Sequence, residues 1–557
     1  MAWATLLPAA PALAADFYVD PVNGSMSGDG SKAKPWKTLE EVVSANLIES
    51  QKWKTLPYAA GDTLVAKNAG APVHAGDTIW LASGYHGAVA LTGYYNASPI
   101  SIAAAPGQKP ELSRVLVQAG KNWKLSGLYV SPEYATPYNP QTMITIQSHN
   151  FQGPVSEVVV DGCTLQSKAD VSGWTASDWD QLSANGLSVG GSNITIRNNH
   201  LKNVNFGISV GASDSLIQHN VVDSFAGDAM RGLGDNTVFS YNLVKNCYDV
   251  NANHDDGFQS WSVGQSGVGT GKVTGIVLRG NTIINYEDPN QPFRGTLQGI
   301  GCFDGTYVDW VVENNVIITD HWHGITFLGA KNVHVVNNTV IDPNTTKPGP
   351  PWIDIGNHKD GTPPVGCIVR NNLVTDLNLA SSGVTEDHNI IVKDYSLFFV
   401  DAAGYDLHLL PTASAIDQGS PTLAPSIDVE GIPRPQGAGF DVGAYEWHKA
   451  SVTPPDGGPG SGGSVGSGGS VGTGGSVGTG GSVDAGGNAG ASGNGGSSIG
   501  GTSGSSGAAG ASSQGATSGD NGGCGCRAAP GRSPAPIWFA LLSVAGLALR
   551  RTRRRQT

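Results

Sequence analysis

Basic residues are scarce in this chain: 32 lysines and arginines face 45 aspartates and glutamates over 557 positions. The imbalance deepens in residues 1–450, which hold 25 basic and 42 acidic side chains, a net of −17. That sign argues against nucleic acid as the partner, because a phosphate backbone needs a basic face. A polyanion of another kind stays compatible if a cation or a local arginine or lysine bridges the charges. Cysteine is sparse too, and its six residues show neither CxxC…CxxC nor CxxH spacing, so there is no zinc signature. Cys163, Cys247, Cys302 and Cys367 stand singly and read as buried small hydrophobes and not as a disulfide framework. No apolar run spans a bilayer comfortably: Ile537 to Leu549 is thirteen residues, against about 20 for a membrane helix.

What the chain has in excess is glycine, 79 residues, of which 29 lie in 451–523 among Ser, Ala, Thr and Val, with no Lys, Arg, aromatic or Leu. Such a stretch buries no core, and its Gly-Gly-Ser-Val units make a flexible polar tether. Residues 1–15 are apolar, uncharged and close on Ala12-Leu13-Ala14 before Ala15-Asp16, which predicts a secretory signal. Residues 524–557 carry Cys524-Gly525-Cys526, the short apolar run and Arg550, Arg551, Arg553, Arg554 and Arg555. That order resembles the C-terminal sorting tags of myxobacterial surface proteins, with the arginines on the cytoplasmic side. The expected location is therefore secreted and cell-surface, tethered at the C-terminus, with membrane contact only through that segment. The folded part is residues 16–450, expected to act as a monomer.

That part contains a repeat. An apolar residue, two others, Asn, any residue and then Leu, Ile or Val recur around Asn199, Asn220, Asn242, Asn281, Asn315, Asn338 and Asn372. Successive asparagines are 21, 22, 39, 34, 23 and 34 residues apart, a base period near 22 with insertions. Between corners the residues alternate apolar and polar over four or five positions and favour Val, Ile and Thr, which is the period of strands. The dense Leu consensus of leucine-rich repeats is absent. Three short strands per turn, stacked at about 4.8 Å, predict an all-β, right-handed parallel β-helix over about residues 70–400, with asparagines forming a ladder at one corner. Residues 17–46 supply a strand and an amphipathic helix to plug the first coil, because an open coil exposes unpaired edges.

A second register aligns the strands that follow each corner: Asn185-Gly186-Leu187-Ser188, Phe206-Gly207-Ile208-Ser209, Asp228-Ala229-Met230-Arg231, Asp256-Gly257-Phe258-Gln259, Gln298-Gly299-Ile300-Gly301 and His323-Gly324-Ile325-Thr326. The third position is always apolar and points inward. The fourth, with Arg231, Gln259 and Thr326, is therefore expected to form one exposed strip rimmed by Asp228, Asp256, Gln298 and His323. Asp255 and Asp256 are adjacent carboxylates that repel unless a cation or proton intervenes, and Asp228 lies one coil below. Oxygen donors of this kind suit Ca²⁺. Trp261, Trp322 and Phe303 are candidate sugar-stacking platforms, and His254, Gln259 and Gln298 candidate substrate contacts.

The opening Phe17-Tyr18-Val19-Asp20-Pro21 with Pro35-Trp36 is similar to the start of secreted pectate-lyase-like right-handed β-helix proteins. The closing Ala415-Ile416-Asp417, Pro433-Arg434-Pro435 and Phe440-Asp441-Val442-Gly443 are similar to their end. Asp228 and the run Asp255-Asp256-Gly257-Phe258 resemble the calcium strand of family 9 pectate lyases. The resemblance implies a Ca²⁺ site at Asp228, Asp255, Asp256 and Gln259, the last standing where the family has an Asp, and β-elimination on an acidic polysaccharide. The family's catalytic Lys has no counterpart in Gln298–Asp304, which leaves Arg294, Arg231 and His323, with His321 beside it, as candidate catalytic groups. Asp228, Asp255-Asp256 and His323-Gly324 also follow the order found in polygalacturonases, which invert with two carboxyl groups. A third reading is a glycan-binding surface adhesin without catalysis.

Overall fold

A computed structural model describes residues 14–449 except 343, 345 and 346; the expected signal, tether and sorting segment lie, apart from Ala14 and Ala15, outside the described residues. The three-residue strands follow directly from side-chain alternation. Leu187–Val189 is buried, exposed, buried, while Thr195–Arg197 buries only its centre. Each coil therefore offers three short strands, and like strands of successive coils pair in parallel. The first face stacks Leu187, Ile208, Met230, Phe258, Ile300, Ile325, Ile353 and Leu377 inward. The second stacks Ile196, Ile217, Phe239, Leu278, Val312, Val335 and Val369. The third stacks Leu201, Val222, Val244, Ile283, Ile317, Val340 and Val374. Nearly all are fully buried, each contributing about 1.5–3 kcal/mol of apolar transfer. In the first coils, Ala88–Ala104 and Arg114–Ser126 run through two faces without a break, which fuses the first and second faces into one sheet.

The corner between the second and third faces is the asparagine ladder. Each amide donates to the next side-chain oxygen at 2.9–3.0 Å from Asn199 to Asn389, and each also caps a carbonyl of the coil before. The structure thus adds Asn389, 17 residues after Asn372, to the seven seen in the repeat. The residue before each corner takes a left-handed conformation, as Asn198, His219, Tyr241, Gly280, Asn314, Asn337, Asn371 and His388 all do. Asn and Gly tolerate that region, so the corner chemistry is local as well as stacked.

The β-helix begins earlier than its repeat. Asp16–Val19 is itself a rung, paired in parallel with Thr78–Leu81, and the cap inserted between them hides the period. Helix Leu39–Ser44, capped by Thr38, buries Leu39 and Val42 in the core beside strand Ala88–Ala104. At the other end Phe399–Asp401 and Asp406–Leu409 form an antiparallel pair, and the following segment closes on the coils through Arg434, which is fully buried with Glu446. The four cysteines of this part are free and buried.

Candidate functional site

Insertions that lengthen the repeat fall where the third face returns to the first, at 248–255, 286–297 and 342–351, and where the first face leads to the second, at 262–271 and 357–366. They flank the first face over its middle coils. Helix Ala176–Leu182 extends the same flank: Trp179 stacks on Tyr248 at 4.3 Å, and Asn251 Nδ2 donates to Asp180 Oδ1. Between the flanks runs the row Ser188, Ser209, Arg231, Gln259, Gly301, Thr326, Asp354 and Asn378, neighbours rung by rung.

The register matches the sequence expectation, but the surroundings do not. Asp228, Asp255, Asp256, Gln298 and Thr326 are 2, 5, 0, 4 and 0 % exposed, so the row is not an open strip. Neighbouring side chains fold across it. A Cβ on Gly301 would stand 2.1 Å from Asp256 Oδ1 and 2.6 Å from the Phe303 ring, so only glycine leaves room for both.

The three carboxylates do not converge on one point. Asp228 Oδ2 accepts from Nε and Nη2 of Arg231, each at 2.6 Å, while its Oδ1 accepts the Asp256 backbone N–H at 3.1 Å. Burial pushes the Asp228 carboxyl up, and the Arg231 charge pulls it back. Asp256 Oδ2 accepts the Gln259 amide at 2.9 Å. Asp255 turns away, taking Asn253 Nδ2 at 2.8 Å and the Cys247 thiol at 3.5 Å. Burial, with a smaller push from Asp228, raises Asp255 to about 8. Among the described residues no group of three or more His, Cys, Asp and Glu is arranged to hold a metal. The donor types suit Ca²⁺, but both oxygens of Asp228 and of Asp255 and Oδ2 of Asp256 already serve protein donors, so this arrangement does not fit the ion.

Arg231 is clamped. Its guanidinium lies 3.7 Å from the Phe206 ring centre and 5.3 Å from that of Trp261. Three coils further on, His323 Nδ1 bonds Thr326 Oγ1 at 2.8 Å, and His321 Nδ1 accepts the His323 backbone N–H, which leaves the His321 proton on Nε2. The two rings stack at 5.2 Å, with Phe303 and Trp352 edge-on to His323. Burial lowers both histidines to about 4, so both are neutral imidazoles near pH 7. Exposed His254 lies within electrostatic reach of Asp228, His321 and His323. Trp322 is 45 % exposed and stacks with Trp352 at 6.2 Å. Arg294 is elsewhere: its Nη1 donates to Pro289 within its own loop and its guanidinium covers Tyr286.

The pattern of the sequence missed Phe206, Trp352, Asp354 and Asn378. Strand Trp352–Gly356 lacks the second-position glycine, and a register shift between His323 and Ile325 aligns it one residue short. Its alternation, Ile353 and Ile355 inward around Asp354, was the available signal. Burial raises Asp354 to about 7, which a hydrogen bond from Asn378 partly offsets.

Residues 185–374 match the family model of a right-handed β-helix region. No curated protein matches the chain. Among solved structures, pectate lyase Pel9A is similar at 16% identity and a TM-score of 0.40, covering 78% of this chain and 97% of that one. The A-module of the mannuronan C-5 epimerase AlgE6 from Azotobacter vinelandii is similar at 12% identity and 0.39, covering 56% and 82%. A rhamnogalacturonan lyase is similar at 14% and 0.34, covering 69% and 90%. With the three ladders, the family match describes this chain as a right-handed parallel β-helix.

Proposed function

We propose that the protein cleaves an acidic polysaccharide, held between the flanks of the first face, by β-elimination. The observation that carries this reading is a fixed guanidinium, Arg231, on the same floor as two neutral imidazoles. β-Elimination needs a positive group or hydrogen-bond donor at the uronate carboxylate to acidify the adjoining proton and a base to remove it. Arg231 lies three rungs, roughly 14 Å, from His323 and so anchors the carboxylate of another unit of the chain, while at the cleaved unit the donor to the carboxylate is His321 Nε2–H. In the tautomer in which Nδ1–H donates to Thr326 Oγ1, His323 offers Nε2 to take the proton as the bond to the glycosidic oxygen breaks. The leaving oxygen takes its proton from water. Trp322, Trp352 and Trp261 give rings on which sugar faces stack.

A hydrolase needs a protonated acid and a carboxylate base about 6.5–9.5 Å apart for inversion. Asp354 is the acid that favours this second reading, yet it lies three rungs from Gln259, which is bonded to Asp256. At about 4.8 Å per rung that is roughly 14 Å, beyond the inverting separation. Incubation with pectate, alginate and glycosaminoglycans, followed for both ultraviolet absorbance of unsaturated uronates and new reducing ends, is the test. Lyase action raises both signals together, hydrolysis raises reducing ends alone, and binding without either signal makes the protein an adhesin.

A further inference from the structure

Asp228 and Asp256 are buried on neighbouring coils, and the cation that pairs with Asp228 is one the chain carries itself. Both oxygens of Asp228 are engaged, Oδ2 by two nitrogens of Arg231 and Oδ1 by a backbone N–H. Gln259, at the position where a carboxylate would complete a cage, turns its amide nitrogen to Asp256 and so acts as donor and not as ligand. Asp255 is held by Asn253 and Cys247 on the opposite side. A divalent ion at this place would have to break the Arg231 pair and turn the Gln259 amide.

We propose that Arg231 is the resident cation of the groove, binding the carboxylate of a uronic-acid unit, and that acidic glycans are held without a divalent metal. This rests on the reading of the groove as a site for uronates. A guanidinium offers five N–H donors in a rigid fork and stays charged at every working pH. Asp228 uses only the Nε and Nη2 side, and Nη1 makes no hydrogen bond among the described residues. Phe206 and Trp261 restrain the plane, so little side-chain freedom is lost when a second carboxylate docks. In the row from Ser188 to Asn378 Arg231 is the one basic residue, which makes it the determinant of where a uronate sits.

The test uses the full chain and two kinds of probe, Ca²⁺ alone and tetramers of galacturonate and mannuronate, in calorimetric titrations. The wild type is expected to show no Ca²⁺ binding at this site and the same uronate affinity, within about twofold, in EDTA and in Ca²⁺. Arg231→Gln should weaken uronate binding by at least about tenfold, with Arg231→Lys between, because lysine keeps the charge but not the fork. The double variant Arg231→Gln/Gln259→Asp should gain Ca²⁺ binding and with it Ca²⁺-dependent uronate binding. Circular dichroism confirms that each variant keeps its strands. Wild-type Ca²⁺ binding that disappears in Asp256→Asn, or uronate binding abolished by EDTA, overturns the proposal. If wild type binds no uronate, the reading of the groove fails, and the Ca²⁺ titrations alone still decide whether Arg231 stands in for a metal: absence in wild type with gain in the double variant supports it, and wild-type binding refutes it.

Discussion

Gly301 lies directly beneath the carboxylate of Asp256, with room for a hydrogen but not for a Cβ, which would stand 2.1 Å from Oδ1. Its φ is not positive, so the backbone accepts alanine and only the contact is lost. Gly301→Ala is expected to swing Asp256 off Gln259, to cost about 1–3 kcal/mol of stability as overpacking does, and to lower uronate cleavage at least about tenfold, about 1.4 kcal/mol. Melting curves and initial rates read the two effects. Unchanged rates would show that Asp256 has no part in placing the row.

The asparagine ladder makes a graded prediction. Asn281 sits mid-ladder, where its oxygen accepts both the backbone and side-chain N–H of Asn242. Asn281→Ala strands two buried donors, each at about 1–3 kcal/mol. Asn389, at the half-buried last rung, serves Asn372 in the same way but with more access to water. Chemical denaturation should therefore rank Asn281→Ala well below Asn389→Ala in stability, and equal losses would contradict a cooperative ladder.

Two groups of the site push stability in opposite directions with pH. Asp255, raised to about 8, holds its proton in the folded state long after the unfolded chain has lost it near 3.9, so its contribution falls as pH rises from about 4 to about 8. His321 and His323, lowered to about 4, contribute above the unfolded value of about 6.5 and lose it as pH falls toward 4. Asp255→Asn should flatten the decline on the alkaline side of a stability–pH curve, and His323→Gln should flatten part of the acid side.

Arg434 and Glu446 are both completely buried and paired at 2.9 Å, and Arg434 also holds the carbonyl of Gly443 at 2.8 Å. Arg434→Met leaves Glu446 as an unpaired buried charge, at about 3–5 kcal/mol. The C-terminal closure should then release first, read as a loss of protection in hydrogen exchange over 410–447 while the ladder strands stay protected. Arg434→Met/Glu446→Leu should recover much of the loss.

Coil period, strand identity, the inward column through Met230 and Phe258 and the corner asparagines were legible in the linear sequence, because alternation and left-handed corners are local properties repeated every 22 or so residues. The order of Asp228, Asp256, Gln298 and His323 along the first face was legible for the same reason. What each of those side chains touches was not. Whether Asp228 meets a metal or Arg231, whether Asp255 faces its neighbour or Cys247, and whether the row is open or covered by Phe303 and Trp261 depend on contacts across coils and on inserted loops that carry no period. Trp352 came to face His323 only through a register shift, a property of how two strands pair and not of either strand alone, whereas Asp354 was legible in the alternation of Ile353 and Ile355. Local alternation sets the direction of a side chain, while the charge and burial that meet it are decided by residues brought together only when the coils stack.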